Sequence, residues 1–372
     1  MKILFLVLVL LSLSFYFVIY TSLGTNPSGE RLTKIEQSIQ YNLDKKQFQN
    51  AQEIPLATGR HWTSIFYAYF FNDGNRAPKE KLPENPPKLS ELDIKSHEVR
   101  FIWFGHSTIL LEINRKRILI DPVFSDYASP IPGIIKRFQP PVFKIDEVED
   151  IDIVLISHDH YDHLDFKTIE KLRERDIQYL VPLGVGAHLE YWGIKKEKIT
   201  ELDWWEDTTL LGLKFTCAPA QHFSGRGMSN RNTTLWASWA IKGQKQNVFF
   251  SGDSGYSEHY KTIGDRMGPF DLAFLENGAY SIDWKFVHQL PEEGVQASID
   301  LNAKSMIPIH WGMFDLALHS WHEPIERVTI EAKKHGVDII APKLGQLIST
   351  STKYKQEDWW SELFIQNADT LE

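Results

Sequence analysis

The string Ser157-His158-Asp159-His160-Tyr161-Asp162-His163-Leu164-Asp165 holds four potential metal ligands, His158, His160, Asp162 and His163, within six residues. Imidazole nitrogens and carboxylate oxygens together suit zinc and other first-row divalent ions. On an extended or turning backbone alternate side chains point the same way. His158 and His160 can therefore converge on one ion, while Asp162 and His163, on the following turn, reach a second. One histidine in such a loop would be a helix cap or a surface residue; four ligand types at this spacing indicate a metal centre. Three more candidates follow apolar runs. His222 comes after Leu213–Cys217 and a short connection, Asp253 lies in Phe249-Phe250-Ser251-Gly252-Asp253-Ser254-Gly255, and His310 directly follows Ser305–Ile309. Ligands on strand ends at one sheet edge can meet over that edge.

The elements needed to carry them are legible as short β-rich runs. Val99–Phe104, Ile109–Ile113 and Arg117–Ile120 are separated by turn signals, with a hairpin expected at Asn114-Arg115-Lys116. Ile151–Ile156 runs straight into the histidine cluster, Phe166–Arg175 reads as an amphipathic helix, and Tyr179–Val181 as a strand stopped by Pro182. The second half repeats the style, with strands at Leu213–Cys217, Thr234–Ile241, Asn247–Ser251 and Leu272–Glu276. A helix at Pro291–Ala303 then precedes strand Ser305–Ile309, and a helix at Ile325–His335 precedes strand Asp338–Ile340. Two sets of strands with interspersed helices predict a layered α/β architecture, an αββα sandwich. The expected boundaries are an N-terminal membrane or signal segment over 1–22, an extension over 23–95, a main α/β domain over 96–350 and a tail over 351–372. The extension includes an amphipathic helix near Leu32–Leu43.

The chain has 372 residues, 42% hydrophobic and 13% aromatic, enough apolar material for a large core. Its formal charge of −9 is the wrong sign for gripping nucleic acid phosphates, so no nucleic acid partner is expected. The single cysteine, Cys217, excludes an intramolecular disulfide, a cysteine-based zinc finger and an iron–sulfur cluster. Ile3 to Tyr20 carries no charge and only two serines, long enough for a bilayer-spanning helix. Such a run reads either as an uncleaved anchor or as a cleaved secretory signal. Its length and the lack of an Ala-x-Ala site favour the anchor, with the body of the protein outside the cytoplasm.

The H-x-H-x-D-H string, followed by His222, Asp253 and His310, resembles the metallo-β-lactamase superfamily. Phe104-Gly105-His106-Ser107-Thr108, Ile120-Asp121-Pro122-Val123-Phe124-Ser125, Lys136-Arg137-Phe138-Gln139-Pro140-Pro141 and His310-Trp311-Gly312 resemble its N-acyl-phosphatidylethanolamine-hydrolysing phospholipase D branch, over roughly Val99 to Gly345. The resemblance implies a four-layered αββα sandwich with two zinc ions per chain, other divalent first-row metals being possible. It implies one zinc on His158, His160 and His222, a second on Asp162, His163 and His310, and Asp253 bridging both. It also implies that Tyr161 and His288 lie beside the substrate's phosphate, that Asp162 and His288 act in catalysis, and that the chain forms a homodimer. His106 and Asp121 match family strings outside that ligand set and read as supporting residues, Asp121 as one that orients a ligand histidine. The implied activity is hydrolysis of a phospholipid of the N-acyl-phosphatidylethanolamine kind by a metal-bridging hydroxide. The rivals are a lactonase, a phosphodiesterase for soluble substrates and a non-enzymatic, membrane-tethered zinc protein.

Overall fold

The computed structural model describes residues 19–55, 74–92, 94–227 and 229–363, with a few single positions between 63 and 71. All but the last two residues of the Ile3–Tyr20 run lie outside the described residues. Among the described residues no helix is long and apolar enough to cross a membrane.

Two seven-stranded sheets form the body. The first runs Leu347–Ser349, Arg100–Trp103, Ile109–Ile113, Lys116–Ile120, Ile153–Leu155, Gln178–Pro182, Ile199–Leu202; its pairings are antiparallel up to Lys116–Ile120 and parallel thereafter. The second runs Asp207–Leu210, Leu213–Ala218, Ser238–Lys242, Asn247–Phe250, Phe270–Glu276, Ala303–Ile309, Asp338–Ile339, again antiparallel first and then parallel. The Asn114-Arg115 turn adopts positive φ at both residues (50° and 65°), and Ile113 pairs with Lys116, the two-residue hairpin whose twist suits antiparallel strands.

Side-chain alternation divides each strand between two layers. From the first sheet, Phe101, Trp103, Ile109, Leu111, Ile118 and Ile120 face the second sheet, and the Phe101 and Phe274 rings meet edge-to-face with centroids 5.0 Å apart. On its outer face Leu110, Leu119, Val154 and Tyr179 join Ile169 and Leu172 of helix Phe166–Leu172 and Leu189 of helix Gly186–Tyr191. Helices Pro291–Asp300 and Glu323–His335 pack together, the former against Phe270–Glu276 and Ala303–Ile309 and the latter against Asp338–Ile339. The result is the expected helix–sheet–sheet–helix layering.

The flanking segments are built into this body. The helix expected at Leu32–Leu43 is confined to Glu30–Glu36, because Ser38 and Asn42 turn the chain by accepting the amides of Gln40 and Lys45. A short hairpin, Tyr41–Asn42 with Gln47–Phe48, follows, and Ile35 and Phe48 are buried in the main core. Beyond the last strand, Trp359 and Trp360 are buried against Trp311, with ring centroids 5.6 and 6.2 Å away.

Candidate metal centre

Strand direction brings the chemistry to one end of the sandwich. Asn247–Phe250, Phe270–Glu276 and Ala303–Ile309 are parallel, so Asp253, Glu276 and His310 emerge at the same edge. Ile153–Leu155 delivers the histidine loop from the other sheet, and helix Phe166–Leu172 closes that loop. Asp165 caps this helix by accepting the Lys167 amide, while its carboxylate also takes the Ser125 and Thr168 hydroxyls. The two edges are stitched through the backbone: the His106 amide donates to the Trp311 carbonyl at 3.0 Å and the His310 amide to the His106 carbonyl at 2.9 Å. His106, Asp121 and His310 all hold positive φ (53°, 40° and 66°), backbone that side chains other than glycine's adopt at a cost.

The seven side chains taken from the sequence as ligands meet here in two groups. His158, His160, His222 and Asp253 form one; Asp162, His163, His310 and the additional His106 form the other, with ligand atoms inside each within 4.8 Å of one another. Asp253 stands between them. Its Oδ2 lies 3.8 Å from His158 Nε2, 3.7 Å from His222 Nε2 and 3.1 Å from His310 Nε2, and its Oδ1 lies 3.1 Å from His163 Nε2.

The donor set fits divalent cations. His163 donates Nδ1–H to Asp121 Oδ2 at 2.7 Å, and His222 Nδ1 faces the Val287 carbonyl at 2.9 Å. In both rings Nε2 therefore points into the cluster, where a bound cation would take the place of a proton, the arrangement by which outer partners set a ligand tautomer. His163 Nε2 and Asp253 Oδ1 are buried with no hydrogen-bond partner. His158 Nε2 and His160 Nδ1 approach to 2.9 Å, which two lone pairs tolerate only with a proton or cation between them.

Electrostatics make the same demand. Burial pushes the His158 and His222 imidazoles well below their ordinary value, so both are neutral and ligand-ready. Burial alone would raise the carboxyls of Asp162 and Asp253, but facing His163 and its neighbours more than offsets it and both are held well below the carboxylate range. His310 is pulled the other way, up to about 10, as Asp253 and Asp162 outweigh its burial. The centre thus calls for positive charge.

The cluster opens into a cavity of about 330 Å³. His160, Asp162, Asp253, His288 and His310 give it polar groups, and Phe223, Trp284, Val287 and Leu316 give it apolar ones. His288 lies at this cavity as expected. Tyr161 does not line it: its hydroxyl donates to the Arg226 carbonyl at 2.6 Å, its ring packs 4.0 Å from that guanidinium, and it lines a separate narrow cleft with Ser125 and Phe166.

Three residues hold places here that the sequence does not show. Glu276 is wholly buried, and its carboxylate pairs with His288 Nδ1, accepts the Ser254 amide and lies 3.6 Å from His310 Nδ1. The sequence marks it only as the last residue of an apolar strand. His106 is more central than a supporting residue, with Nε2 2.9 Å from Asp162 Oδ2 and its ring 4.1 Å from that of His310. Burial, then His310, push it down to about 3, so it is neutral. Asp159, embedded in the ligand string, turns away and accepts the Gly225 amide, the Thr234 hydroxyl and His188 Nε2 at 2.7, 2.8 and 3.2 Å.

Buried imidazoles and carboxylates on strand ends of two mixed sheets define the class, a metal-dependent enzyme. The sequence matches the beta-lactamase superfamily domain over residues 116–311, more than half the chain. An uncharacterized protein of Mycobacterium tuberculosis is 45% identical over 76% of this chain and 77% of its own. The N-acyl-phosphatidylethanolamine-hydrolyzing phospholipase D 1 of Caenorhabditis elegans is 36% identical over 61% of this chain and 67% of its own. The mitochondrial N-acyl-phosphatidylethanolamine-hydrolyzing phospholipase D of Saccharomyces cerevisiae is 33% identical over 70% and 58%. Among solved structures, the metallo hydrolase Igni18 of Ignicoccus hospitalis shares the fold with a TM-score of 0.53 at 19% identity, covering 69% of this chain and 99% of its own. The chain belongs to the metallo-β-lactamase superfamily. It is a metal-dependent hydrolase.

Proposed function

We propose that this protein is a two-zinc phosphodiesterase of the phospholipase D type, acting on lipids like N-acyl-phosphatidylethanolamine. The observation that carries the reading is the divided cavity, imidazole and carboxylate groups together with Phe223, Trp284, Val287 and Leu316. A substrate with a phosphodiester beside hydrocarbon matches both parts. The activity for which the nematode and yeast relatives are named supports the same substrate class.

In this reading His158, His160 and His222 would hold one ion, Asp162, His163 and His310 would hold the other, and Asp253, which faces both groups, would serve each. Bound there, the metal pair supplies a water of lowered pKa and positive charge for the pentacoordinate transition state. The chain's own groups do the rest. His106 fixes the Asp162 carboxylate through a 2.9 Å contact, so that Asp162 can hold the attacking water's proton in a set direction. Glu276 fixes the His288 ring through Nδ1, leaving its second nitrogen for a phosphate oxygen or the departing alkoxide. The P–O bond to the N-acylethanolamine breaks, and phosphatidic acid keeps the phosphate. The Ile3–Tyr20 run would tether the enzyme to the bilayer that contains this substrate, with the hydrolase domain outside the cytoplasm.

The test is a substrate panel on the zinc-loaded full chain in detergent: N-acyl-phosphatidylethanolamine, bis-p-nitrophenyl phosphate and a lactone. Release of N-acylethanolamine, lost on chelation and restored by zinc, is the expected result. Turnover of the lactone with an inert phospholipid would overturn the assignment in favour of a lactonase. Turnover of bis-p-nitrophenyl phosphate alone would point to a soluble phosphodiester.

A further inference from the structure

The segment Ile131-Pro132-Gly133-Ile134 is a type II turn: the Ile134 amide donates to the Ile131 carbonyl at 3.2 Å, and Gly133 has φ 90°. Below it a short hairpin is closed by Ala128 N to Ile135 O at 3.0 Å and Arg137 N to Asp126 O at 2.9 Å. Its base is locked, because buried Arg137 donates Nη2 to the Val123 carbonyl at 3.3 Å and its guanidinium stacks 5.3 Å from the Phe314 ring centroid. The hairpin is therefore braced, yet it ends in Ile131 and Ile134, 40% and 49% exposed, with Lys136 exposed beside them. Single exposed isoleucines such as Ile39, Ile94 and Ile282 occur elsewhere on the surface, but here two stand together with Pro132 on one braced tip.

A second observation concerns the point where the N-terminal apolar run joins the body. Residues 19–23 are helical, and Tyr20 is 53% exposed. Immediately after it the chain is pinned. Trp192 Nε1 donates to the Thr21 carbonyl at 2.8 Å, Arg226 Nη2 to the Ser22 carbonyl at 2.7 Å, and the Thr25 amide to His188 Nδ1 at 3.1 Å. Ser22 lines the same narrow cleft as Pro130 and Pro132 of the hairpin, together with Tyr161 of the ligand loop. The exit point of the apolar run and the isoleucine tip thus lie side by side.

We infer that the hairpin tip is a second membrane contact: Ile131 and Ile134 enter the interfacial layer of the bilayer that takes the Ile3–Tyr20 run. This rests on the tether reading proposed above. The occupant is lipid because the adjoining N-terminal run is itself bilayer-length and apolar, and because exposed Lys136 follows the tip and exposed Lys167 shares the cleft of Pro130 and Pro132, charges suited to lipid phosphates. A single helical tether leaves the body free to swivel, whereas two adjacent contacts fix which face meets the lipid. That face carries the ligand loop.

The sole cysteine makes the test direct. Cys217 is buried and burial pushes its thiol well up, so Ile131→Cys and Ile134→Cys can be spin-labelled selectively in the folded full chain. Ile330→Cys, on helix Glu323–His335 and 58% exposed, is the reference position. In phosphatidylcholine–phosphatidylglycerol vesicles, labels at 131 and 134 should relax with oxygen in preference to a water-soluble nickel chelate, by several-fold relative to 330. Equal nickel access at all three positions would overturn the inference, as would spin–spin broadening at the tip, which would mean that a second copy covers it. Flotation of the unlabelled chain separates the two readings. A chain that fails to float with vesicles overturns the tether and this inference together, whereas a floating chain with a wet tip overturns this inference alone. The paired Ile131→Ser, Ile134→Ser variant should lose about tenfold in turnover on vesicle-borne lipid while keeping its rate on detergent-dispersed lipid.

Discussion

Replacing Asp121 by asparagine alters only one end of a carboxylate and leaves every expected metal ligand in place. That carboxylate is completely buried and accepts three hydrogen bonds, from the Ser157 amide at 2.7 Å, the Ser157 hydroxyl at 2.6 Å and His163 Nδ1 at 2.7 Å. An asparagine that keeps its oxygen on the Ser157 amide must turn its NH2 toward His163. Two donors then face each other, and relief comes from moving the imidazole proton to Nε2, the atom 3.1 Å from Asp253 Oδ1. The lone pair is lost from the cluster. Removing an outer partner of this kind costs roughly 10–100-fold in metal affinity, or about 1.4–2.7 kcal/mol. Zinc titration against a competing fluorescent chelator should show that loss for one equivalent. The other, on His158, His160 and His222, should change less, being linked to Asp121 only through the 2.9 Å contact of His158 Nδ1 with the Ser157 hydroxyl. Two zinc equivalents bound with unchanged affinity in a folded Asp121→Asn protein would refute this account of how the histidine is set.

Further outcomes follow from the same structure. Asp253→Ala should lose bound metal and activity together, because its two oxygens face both groups; retention of both zincs with full turnover, by elemental analysis and assay, would show that it bridges nothing. A Cβ on Gly278 would sit 1.9 Å from the His310 carbonyl oxygen, so Gly278→Ala must displace a ligand strand end. The expected cost is about 1–3 kcal/mol in denaturant unfolding, with weakened zinc binding, and a variant of wild-type stability would contradict that packing. His259, held by the Ser257 and Ser254 hydroxyls at 2.6 and 3.2 Å, is pushed down to about 3 by burial. The folded state thus resists protonation while the unfolded chain takes a proton near pH 6.5, so this contribution is full above that pH and is lost as pH falls toward 3. Between pH 7 and 5 wild type should lose up to about 2 kcal/mol that His259→Gln does not, and parallel pH profiles would reject the assignment.

Legibility in the sequence followed burial. Ile109–Ile113 is buried at every position and its expected bounds coincide with the strand, while Leu213–Cys217 and Ser305–Ile309 fall inside the observed strands. Among the strands not anticipated, Ile199–Leu202, Asp207–Leu210 and Leu347–Ser349 form outer edges and are mostly half-exposed, so they carry no apolar run to read. The expected strand Thr234–Ile241 is confined to Ser238–Lys242, because Leu235, Trp236 and Ala237 are buried outside the ladder, apolar for packing rather than for pairing. At the site, histidines next to strand ends stood out because water-seeking side chains interrupt apolar text there. Glu276 did not, since a carboxylate that closes a strand looks like an ordinary solvated end until its burial is known. Nor could spacing show that Tyr161 faces a different cleft from its neighbours His160 and Asp162, because that depends on Arg226, 65 positions away.

The His106–His310 backbone stitch joins halves that each own only part of the chemistry. His158, His160, Asp162 and His163 arrive with one sheet; His222, Asp253 and His310 arrive with the other. A chain severed between Leu202 and Asp207 would leave two fragments, each with an incomplete set of donors. Their reunion would rest on the common core and on the pairing of Leu347–Ser349 with Arg100–Trp103, and a cation shared by the two donor sets would add a further link, adhesive as well as reagent.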